Sequence, residues 1–290
     1  MNRPLISSNN YHDLITIRTA SDCAVILYIN DKLLGLDKSN AIIGLLTTEL
    51  LANRPSWLRE YIPSYTSLLI EFSLHDADHL AVNAFLKILI NDAIAHIGEM
   101  INFKTDTENK QSDDEITIQA LSENNPFSLH HEKIIHKIPV CYELQSLESD
   151  LLKVAKEKSL SINSLIELHC SVCYRVFATG FLPGFAYLGE LPEEMSQARL
   201  DKPRTRVPKG AVAIADRQTA IYPAESPGGW HILGYTPIEM LLTGNDERRK
   251  PIDDSQEIQS SNKVKPLLKA GDYVEFYPIT EEQYLHWRSS

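Results

Sequence analysis

Hydrophobic residues in the first hundred positions follow two different periods. Asp13–Thr19 alternates in polarity and Ala24–Ile29 is a short apolar run, so the pair predicts two strands of a hairpin. Asp37–Asn53 and Asp76–Ile97 repeat apolar residues every three or four positions, which predicts two helices. Tyr65–Phe72, between them, has strand composition. The order strand, strand, helix, strand, helix indicates helices covering one face of a sheet.

Each predicted helix carries further detail. Ser39 has the residue type that favours an N-cap for the first helix. In the second helix a polar stripe recurs every four residues at Asn83, Lys87 and Asn91. The remaining face carries Phe85, Ile88, Leu89 and Ile94, and we predict that these residues contact the sheet. We therefore assign a small two-layer α+β domain to residues 1–103.

The amino-acid composition changes after this domain. Thr105–Glu115 contains no aliphatic residue and cannot form a core, so residues 104–133 are predicted to be a polar linker. Ile134–Tyr142 then predicts a strand, followed by helices at Glu148–Lys158 and Ile162–Cys170. Ser161 is the predicted N-cap of the second of these helices.

The rest of the chain has many short strand patterns divided by Pro and Gly. The strand candidates are Val212–Ala215, Ala220–Tyr222, Trp230–Tyr235 and Tyr273–Tyr277. Short strands with frequent turns favour a closed or partly closed barrel over residues 134–290. A polar segment near 244–265 is predicted to be a surface insertion in that barrel.

Composition excludes several classes of protein. The 290 residues carry 28 Lys+Arg against 39 Asp+Glu, for a formal charge of -11, which disfavours nucleic-acid and anionic-membrane partners. No apolar run approaches the ~20 residues of a membrane helix, and the N-terminus has no signal-peptide pattern. Four cysteines are too few for a disulfide scaffold. The expectation is a cytoplasmic protein of two domains.

Two arginines form the first candidate site. Arg204 and Arg206 lie between Pro203 and Pro208, which favour an extended chain. Residues two apart in an extended chain point to one side, so two guanidiniums there suit a carboxylate or a phosphate. The alternative is a pair of surface arginines bridging to the many acidic residues.

A glycine-containing turn forms the second candidate. In Ser226–Trp230 two glycines allow close backbone approach to a ligand, the Trp gives a flat wall and the Ser a hydroxyl. Gln218 and Tyr222 could add amide and phenol hydrogen bonds. The alternative interpretation is a tight hairpin with a core Trp.

Other motifs point away from common chemistries. Cys170 and Cys173 form a Cys-x-x-Cys, but no further pair of soft ligands accompanies it, and small side chains at a helix end explain it better than zinc. No metal site is predicted in this chain. The sequence contains neither the Gly-x-x-x-x-Gly-Lys-Ser/Thr phosphate loop nor the Gly-x-Gly-x-x-Gly dinucleotide motif. It also contains no Gly-x-Ser-x-Gly nucleophile elbow and no His-Glu-x-x-His zinc-protease motif.

Several blocks together resemble a known family. These are Pro139-Val140-Cys141-Tyr142, then GFLPGFAYL from Gly180, PRTRVPKGAVAIA from Pro203, QTAIYP from Gln218 and SPGGW from Ser226. In this order they are similar to the KipI family, also called allophanate hydrolase subunit 1-like or the 5-oxoprolinase B subunit. The resemblance is strongest over Ile138–Ile279.

The resemblance implies a cyclophilin-like β-barrel after the N-terminal α+β domain. It implies one member of an ATP-dependent 5-oxoprolinase complex, which hydrolyses 5-oxoproline to glutamate and also contains a KipA-like protein and a LamB/YcsF-type protein. The alternatives are a KipI-like inhibitor of a sensor histidine kinase and a carboxyltransferase-like protein that uses a urea-type substrate. The expected cofactor is ATP, held by the complex.

With the resemblance, the candidate site has two groups of residues. Electrostatic and positioning roles in catalysis are expected for Arg204, Arg206 and Gln218. Contact with a small-molecule substrate is expected for Tyr187, Tyr222, Ser226, Gly228, Gly229 and Trp230. We expect Arg204→Ala to weaken binding and to leave folding almost intact.

Two further expectations concern loops. The aromatic residues Phe181, Phe185 and Tyr187 are predicted to form an exposed surface that packs on the KipA-like protein. The chain also departs from the family's usual Gly-Gly-Gln-Thr-Gly pattern, since Asp216 and Arg217 stand where the two glycines are usual. This change lies beside the expected site and indicates an altered substrate or a member kept for binding.

Overall fold

The computed structural model describes residues 14–102, 134–242 and 264–289, without the side chains of residues 94–102. The chain divides into two compact units, residues 1–132 and 133–290. The predicted linker and nearly all of the predicted insertion lie outside the described residues.

The first unit contains a four-stranded antiparallel sheet in the order β1-β2-β4-β3. Its elements are β1 Ile15–Ser21, β2 Ala24–Ile29, α1 Asp31–Leu34, α2 Leu36–Ala52, β3 Leu58–Ser64, β4 Ser67–Phe72 and α3 His79–Asn102. Alternate residues of the two central strands are buried with one face of each long helix, as the apolar periods predict. The α+β architecture expected of this region is therefore present.

Two details of the predicted helices are wrong. Ser39 is not the N-cap of α2: Gly35 precedes the helix, and the Ser39 hydroxyl donates within the first turn to the Gly35 carbonyl at 2.8 Å. Ile88 is 61% exposed instead of facing the sheet, because the buried stripe of α3 runs through Val82, Leu86 and Leu89. The side chain of Ile94 lies outside the described part.

Strand β3 is absent from the sequence prediction. Its sequence, LREYIPS, has weak alternation and contains Pro63, which argues against a central strand. The structure places β3 at the edge of the sheet, where one side needs no ladder partners and proline is tolerated. The sequence did not predict β3 because its weak alternation and its proline are compatible with an edge strand but not with a central one.

The second unit is built on one seven-stranded sheet in the order β12-β9-β10-β7-β6-β15-β5. Its strands are β5 Ile135–Val140, β6 Cys173–Thr179, β7 Ala186–Gly189, β8 Arg204–Val207, β9 Ala211–Ala215, β10 Gln218–Ile221, β11 Ser226–Gly228, β12 His231–Tyr235, β13 Leu241–Leu242, β14 Lys265–Pro266 and β15 Tyr273–Pro278. The helices are α4 Leu151–Glu157, α5 Ile162–Cys170 and α6 Glu281–Ser289, with a 3₁₀ turn at Glu193–Met195.

The sheet nearly closes on itself. Cys141, directly after β5, pairs with Tyr235 of β12, the strand at the other edge, through backbone hydrogen bonds of 2.8 and 2.9 Å. This pair joins the two edges and confirms the predicted barrel; the label cyclophilin-like stays a prediction. Ser161 caps α5 as predicted, since its hydroxyl accepts from the Ser164 amide at 3.0 Å.

Two separate hydrophobic clusters line the barrel sheet. The larger one joins α4 and α5 to alternate strand residues such as Val212, Ile214 and Leu233. The smaller one gathers small and aromatic residues, among them Ala213, Phe185 and Trp230. Within the described ranges, no helix is long and apolar enough to span a bilayer.

Candidate functional site

The arginine block and the glycine block lie side by side. The arginine block forms β8, and β11 pairs with it antiparallel, so Gly228 lies opposite Arg204 and Ser226 opposite Val207. The extended conformation inferred from the flanking prolines is therefore confirmed. The pairing brings two sequence blocks about twenty residues apart onto one small ribbon.

Arg204 is held inside the fold. Its Nη2 donates to Oδ1 of Asp150 at 2.7 Å and its Nη1 to the Trp230 carbonyl at 3.4 Å. Asp150 is 8% exposed, and its second oxygen accepts from the Ile232 amide at 2.8 Å. The carboxylate neutralises the guanidinium and fixes its orientation. Removing Arg204 would leave a buried carboxylate without its cation, so the expectation that Arg204→Ala spares folding is revised.

Arg206 is held differently. Its side chain is 75% exposed, and its Nε lies 2.6 Å from Oε2 of Glu225. The two arginines of β8 therefore have separate carboxylate partners, Asp150 and the more distant Glu148 for Arg204 and Glu225 for Arg206, and neither offers an uncompensated charge. The expected two-guanidinium fork is replaced by separate ion pairs, while a catalytic role for either residue stays a prediction.

Four aromatic residues form a compact group, called here the Trp230 cluster: Phe185, Tyr187, Tyr222 and Trp230. Phe185 lies at its centre, with ring centroids 4.9 Å from Tyr187, 5.4 Å from Tyr222 and 6.0 Å from Trp230. Edge-on contacts of this kind add to the stability gained from burial. The prediction of an exposed surface is wrong for Phe185, which is 2% exposed, whereas Phe181 is 60% exposed.

Tyr222 lies directly against the glycine turn. A β-carbon on Gly228 would fall 2.3 Å from the Tyr222 Oη, so only glycine allows this approach. A β-carbon on Gly229 would meet nothing nearer than 3.6 Å, an ordinary contact. Burial raises the pKa of Tyr222 to about 12, and the nearby charges of Arg199 and Arg204 oppose the rise. The phenol therefore remains a hydrogen-bond donor at neutral pH.

Ser226 has a buried hydroxyl that lacks a partner among the described residues. The residue is 8% exposed, and no group in the described ranges makes a hydrogen bond to its Oγ. Unpaired buried polar atoms are uncommon because each one loses its hydrogen bonds to water. An unsatisfied donor in this turn is a feature that a ligand oxygen could satisfy.

Gln218 lies at the opposite end of this region. It begins β10, where it pairs with Gly189 of β7 and Ala215 of β9. The turn before it contains Asp216, whose φ of 53° is in the left-handed region. Asp adopts this region more readily than most residues, so the turn does not require a glycine there.

Arg199 was missed from the sequence. Its guanidinium carbon lies 5.9 Å from the ring centre of Trp230, and its Nε lies 3.5 Å from Oδ2 of Asp216. Both side chains of that ion pair are about 60% exposed. Nothing in the local pattern around Arg199 marks it, since its contacts come from residues 17 to 31 positions away.

A second polar group is fully connected and is called here the His169 network. The Thr219 hydroxyl donates to the Ala213 carbonyl at 3.2 Å, so its oxygen accepts from His169 Nε2 at 3.0 Å. His169 Nδ1 therefore accepts from the Tyr142 phenol at 2.7 Å, whose oxygen can accept from Cys170 Sγ at 3.3 Å.

The His169 network has the electrostatics of a structural core. Burial lowers the pKa of His169 to about 3, so its ring stays neutral. Burial also raises the pKa of the Cys170 thiol. The phenol proton of Tyr142 is already committed to His169, so this network does not activate Cys170 as a nucleophile. A helix precedes and a strand follows the Cys-x-x-Cys, as expected.

Two surface cavities lie apart from the Trp230 cluster. One of about 1060 Å³ is lined chiefly by residues that flank β5, α4, α5 and the end of β15, including Tyr142, Leu152, Ile166 and Glu281. Another of about 440 Å³ is lined by Lys137, Cys170, Cys173 and Glu275 among others. Neither includes a residue of the Trp230 cluster, whose rings pack against one another. In the described part of the chain, no three His, Cys, Asp or Glu side chains are grouped for a metal ion.

Comparison with known proteins places the chain in a family. The model of the carboxyltransferase domain, subdomain C and D, matches residues 15–250. The B subunit of 5-oxoprolinase from Escherichia coli O157:H7 is 39% identical over 154 residues, 53% of this chain and 62% of that protein. The corresponding protein of Bacillus subtilis (strain 168) is 36% identical over 150 residues, 52% of this chain and 55% of that protein.

One solved structure extends the likeness to the fold. The crystal structure of TTHA0988 is 26% identical, with a TM-score of 0.61 over 88% of this chain and 39% of that one. The present chain thus spans less than two thirds of each of these three proteins. The comparisons confirm the resemblance to the 5-oxoprolinase B subunit, and the family model, matching most of the sequence, shows that this chain belongs to the carboxyltransferase domain family, subdomain C and D.

Proposed function

We propose that this chain is one member of an ATP-dependent 5-oxoprolinase complex, which opens the lactam ring of 5-oxoproline to give glutamate. The observation that carries the proposal is 36–39% identity over about 150 residues to the two 5-oxoprolinase proteins named above. Because the chain spans only 55–62% of their lengths, the activity is assigned to an assembled complex.

The proposed chemistry needs positioning and donors more than a nucleophile. A lactam is a poor electrophile, and a phosphoryl group transferred from ATP to its oxygen would make that oxygen a leaving group. Tyr187 is the half-buried ring of the Trp230 cluster, Tyr222 keeps its phenol proton next to the glycine turn, and the Ser226 hydroxyl has no partner in the described ranges. These groups would hold the substrate and donate hydrogen bonds to its oxygens.

The roles of the other candidates follow from their contacts. Arg204 would position Trp230 through its backbone carbonyl, and Gly228 would keep Tyr222 in place. Gln218 and Arg206 are assigned to the rim of the site, since each lies at or next to an end of its strand. Substrate contact through Tyr187, Gly229 and Arg206 is retained as part of the proposal. No metal is assigned to this chain, and ATP is a substrate of the complex, which we place in the cytoplasm.

The proposed partners are a KipA-like protein and a LamB/YcsF-type protein. Phe181 is the feature that supports a partner surface. It is 60% exposed and has a φ of 71°, a left-handed conformation that is strained for a bulky residue. The loop is short, since the Gly180 amide donates to the Phe185 carbonyl at 3.1 Å. This loop holds an aromatic ring outward, as an interface anchor would require.

The function is tested by reconstituting the three proposed proteins and measuring ADP and glutamate formed from ATP and 5-oxoproline. Activity should need all three proteins, and omitting this chain should abolish it. Ser226→Ala should lower the activity of the complex without unfolding this chain. A complete, purified complex that releases neither ADP nor glutamate in the presence of 5-oxoproline would rule the proposal out.

The partner surface has a matched pair of variants. Phe181→Ser should weaken co-purification with the KipA-like protein by removing an exposed aromatic anchor. Leu152→Ser is the control, since Leu152 of α4 is 69% exposed and lies in the same unit outside this loop. Equal retention of the KipA-like protein by both variants in gel filtration would show that Phe181 is not part of the interface.

A further inference from the structure

Arg199, Arg204 and Arg206 differ in how far their charges are compensated. Arg204 has a short bond to a buried carboxylate, and Arg206 lies 2.6 Å from Glu225. Arg199 has a looser partner, Asp216 at 3.5 Å, with both side chains about 60% exposed. An exposed pair at that distance is weakened by water and salt, so Arg199 retains the charge most available to a ligand.

The surroundings of Arg199 suit a carboxylic acid with a small flat ring. Its guanidinium lies over Trp230, which leaves the planar edge of the group able to bind two carboxylate oxygens. Tyr222 belongs to the same cluster, since both its ring and that of Trp230 pack edge-on against Phe185. Ser226, two residues before the glycine that contacts Tyr222, adds a buried hydroxyl without a partner in the described ranges.

Resting on the proposed function, we propose that Arg199, whose guanidinium lies over the Trp230 ring, binds the carboxylate of the 5-oxoproline substrate, and that Asp216 competes for the same guanidinium. Asp216 occupies a left-handed turn position, and its carboxylate lies 3.5 Å from the Arg199 Nε. This chain therefore has a resident carboxylate beside its carboxylate-binding arginine. The substrate must displace it, which lowers affinity and makes binding depend on salt.

Arg199 and Asp216 variants should then act in opposite directions. The measurement is calorimetric titration of 5-oxoproline into the full chain and into the assembled complex. Arg199→Ala should weaken binding by about tenfold or more through loss of a charge-assisted contact, and Arg199→Lys should restore it only in part. Asp216→Asn keeps a residue that accepts the left-handed turn, removes the competing charge and should tighten binding about two- to fivefold.

Arg217→Ala is the matched control, because Arg217 is the residue next to Asp216, 55% exposed, and its partner is Glu190 at 3.4 Å. It should bind 5-oxoproline like the unaltered chain. Unchanged affinity in Arg199→Ala, or no gain in Asp216→Asn, would overturn the assignment. Absence of 5-oxoproline binding to both the chain and the complex would overturn it as well.

A kinetic arm separates carboxylate binding from phosphate binding. In the active complex, Arg199→Ala should raise the KM for 5-oxoproline and leave the KM for ATP unchanged. A raised KM for ATP alone, or titration of the site by inorganic phosphate but not by acetate, would identify a phosphate site and overturn the proposal. If the complex turns over normally with Arg199→Ala, the inference fails while the proposed function stands. If binding depends on Arg199 but no turnover occurs, the proposed function fails instead.

Discussion

The His169 network and the Trp230 cluster belong to the same unit, yet the buried polar groups in and beside them differ. In the first, Thr219, His169 and Tyr142 each have an acceptor for their proton, and the series ends at a backbone carbonyl. Beside the second, the buried hydroxyl of Ser226 has no partner in the described ranges. A complete network stabilises a fold, whereas an incomplete one retains hydrogen-bonding capacity for a ligand.

Arg204 tests whether a residue next to the Trp230 cluster has a structural role. Its loss should have the largest effect on the free energy of unfolding. Arg204→Ala leaves Asp150 buried without its cation, which should lower the free energy of unfolding by about 3 kcal/mol. Arg206→Ala removes a side chain that is 75% exposed and should change stability by less than about 0.5 kcal/mol. Urea unfolding of both variants gives the values. Similar, small losses of unfolding free energy in the two variants would mean that Arg204 contributes no more to stability than an exposed arginine.

Gly228 tests how tightly the cluster is packed. Gly228→Ala brings a methyl group against the Tyr222 phenol and should cost about 2 kcal/mol in the free energy of unfolding. Gly229→Ala, with no atom nearer than 3.6 Å, is the control and should cost much less. Adding Tyr222→Phe to Gly228→Ala removes the nearest clashing atom and should recover part of the loss. No recovery in thermal unfolding would show that the strain lies elsewhere.

Removing one hydroxyl from each region sharpens the contrast. Thr219→Val takes away the acceptor of His169 Nε2 and should cost about 1–2 kcal/mol, since a buried donor is left unpaired. Ser226→Ala removes a hydroxyl that already lacks a partner in the described ranges, so stability should stay the same or rise slightly. Chemical denaturation of both variants without ligand is the measurement. Equal losses would contradict the distinction between the two regions.

The pH dependence of stability tests the burial of His169 without any substitution. His169 has a pKa lowered to about 3 by burial, whereas an unfolded histidine titrates near 6.5. Below that pH the unfolded chain gains a proton that the folded chain does not, so stability falls as the pH is lowered from about 6.5 toward 3. The limiting slope for one proton is about 1.4 kcal/mol per pH unit.

His169→Asn supplies the control for that slope, because an amide does not titrate in this range. Denaturation of the two proteins at several values between about pH 6.5 and 5 should give a steeper fall for the unaltered chain. Parallel curves would show that His169 is protonated in the folded state or exposed to solvent there.

Much of the fold could be predicted because the spacing of apolar residues within each helix or strand is a local signal. The helices α2, α3 and α5 and strands such as β9 and β12 follow patterns of burial within a few residues. Strand β3 could not be predicted in this way, since its proline is acceptable only at a sheet edge. The position at the edge is set by pairing with β4 and has no signal within β3 itself.

The candidate site could be predicted only where its signals lie within a few residues of one another in the sequence. The prolines around β8 and the glycines at the end of β11 and just after it are local signals, and the structure pairs those strands. Asp150 and Arg204 are 54 residues apart, and neither sequence position shows that the two side chains meet. The distinction between a compensated and an available arginine depends on such distant partners, so Arg199 emerges only from the fold.

The strand order of the barrel has a consequence for when the second unit can fold. Strand β15 lies between β5 and β6, although β5 and β6 precede it by about 140 and 100 residues in the chain. The barrel therefore lacks an internal member until Tyr273–Pro278 has emerged from the ribosome. The antiparallel sheet of the first unit pairs strands within about sixty residues of one another and is complete by Phe72, so during synthesis it can form while the barrel sheet is still missing a strand.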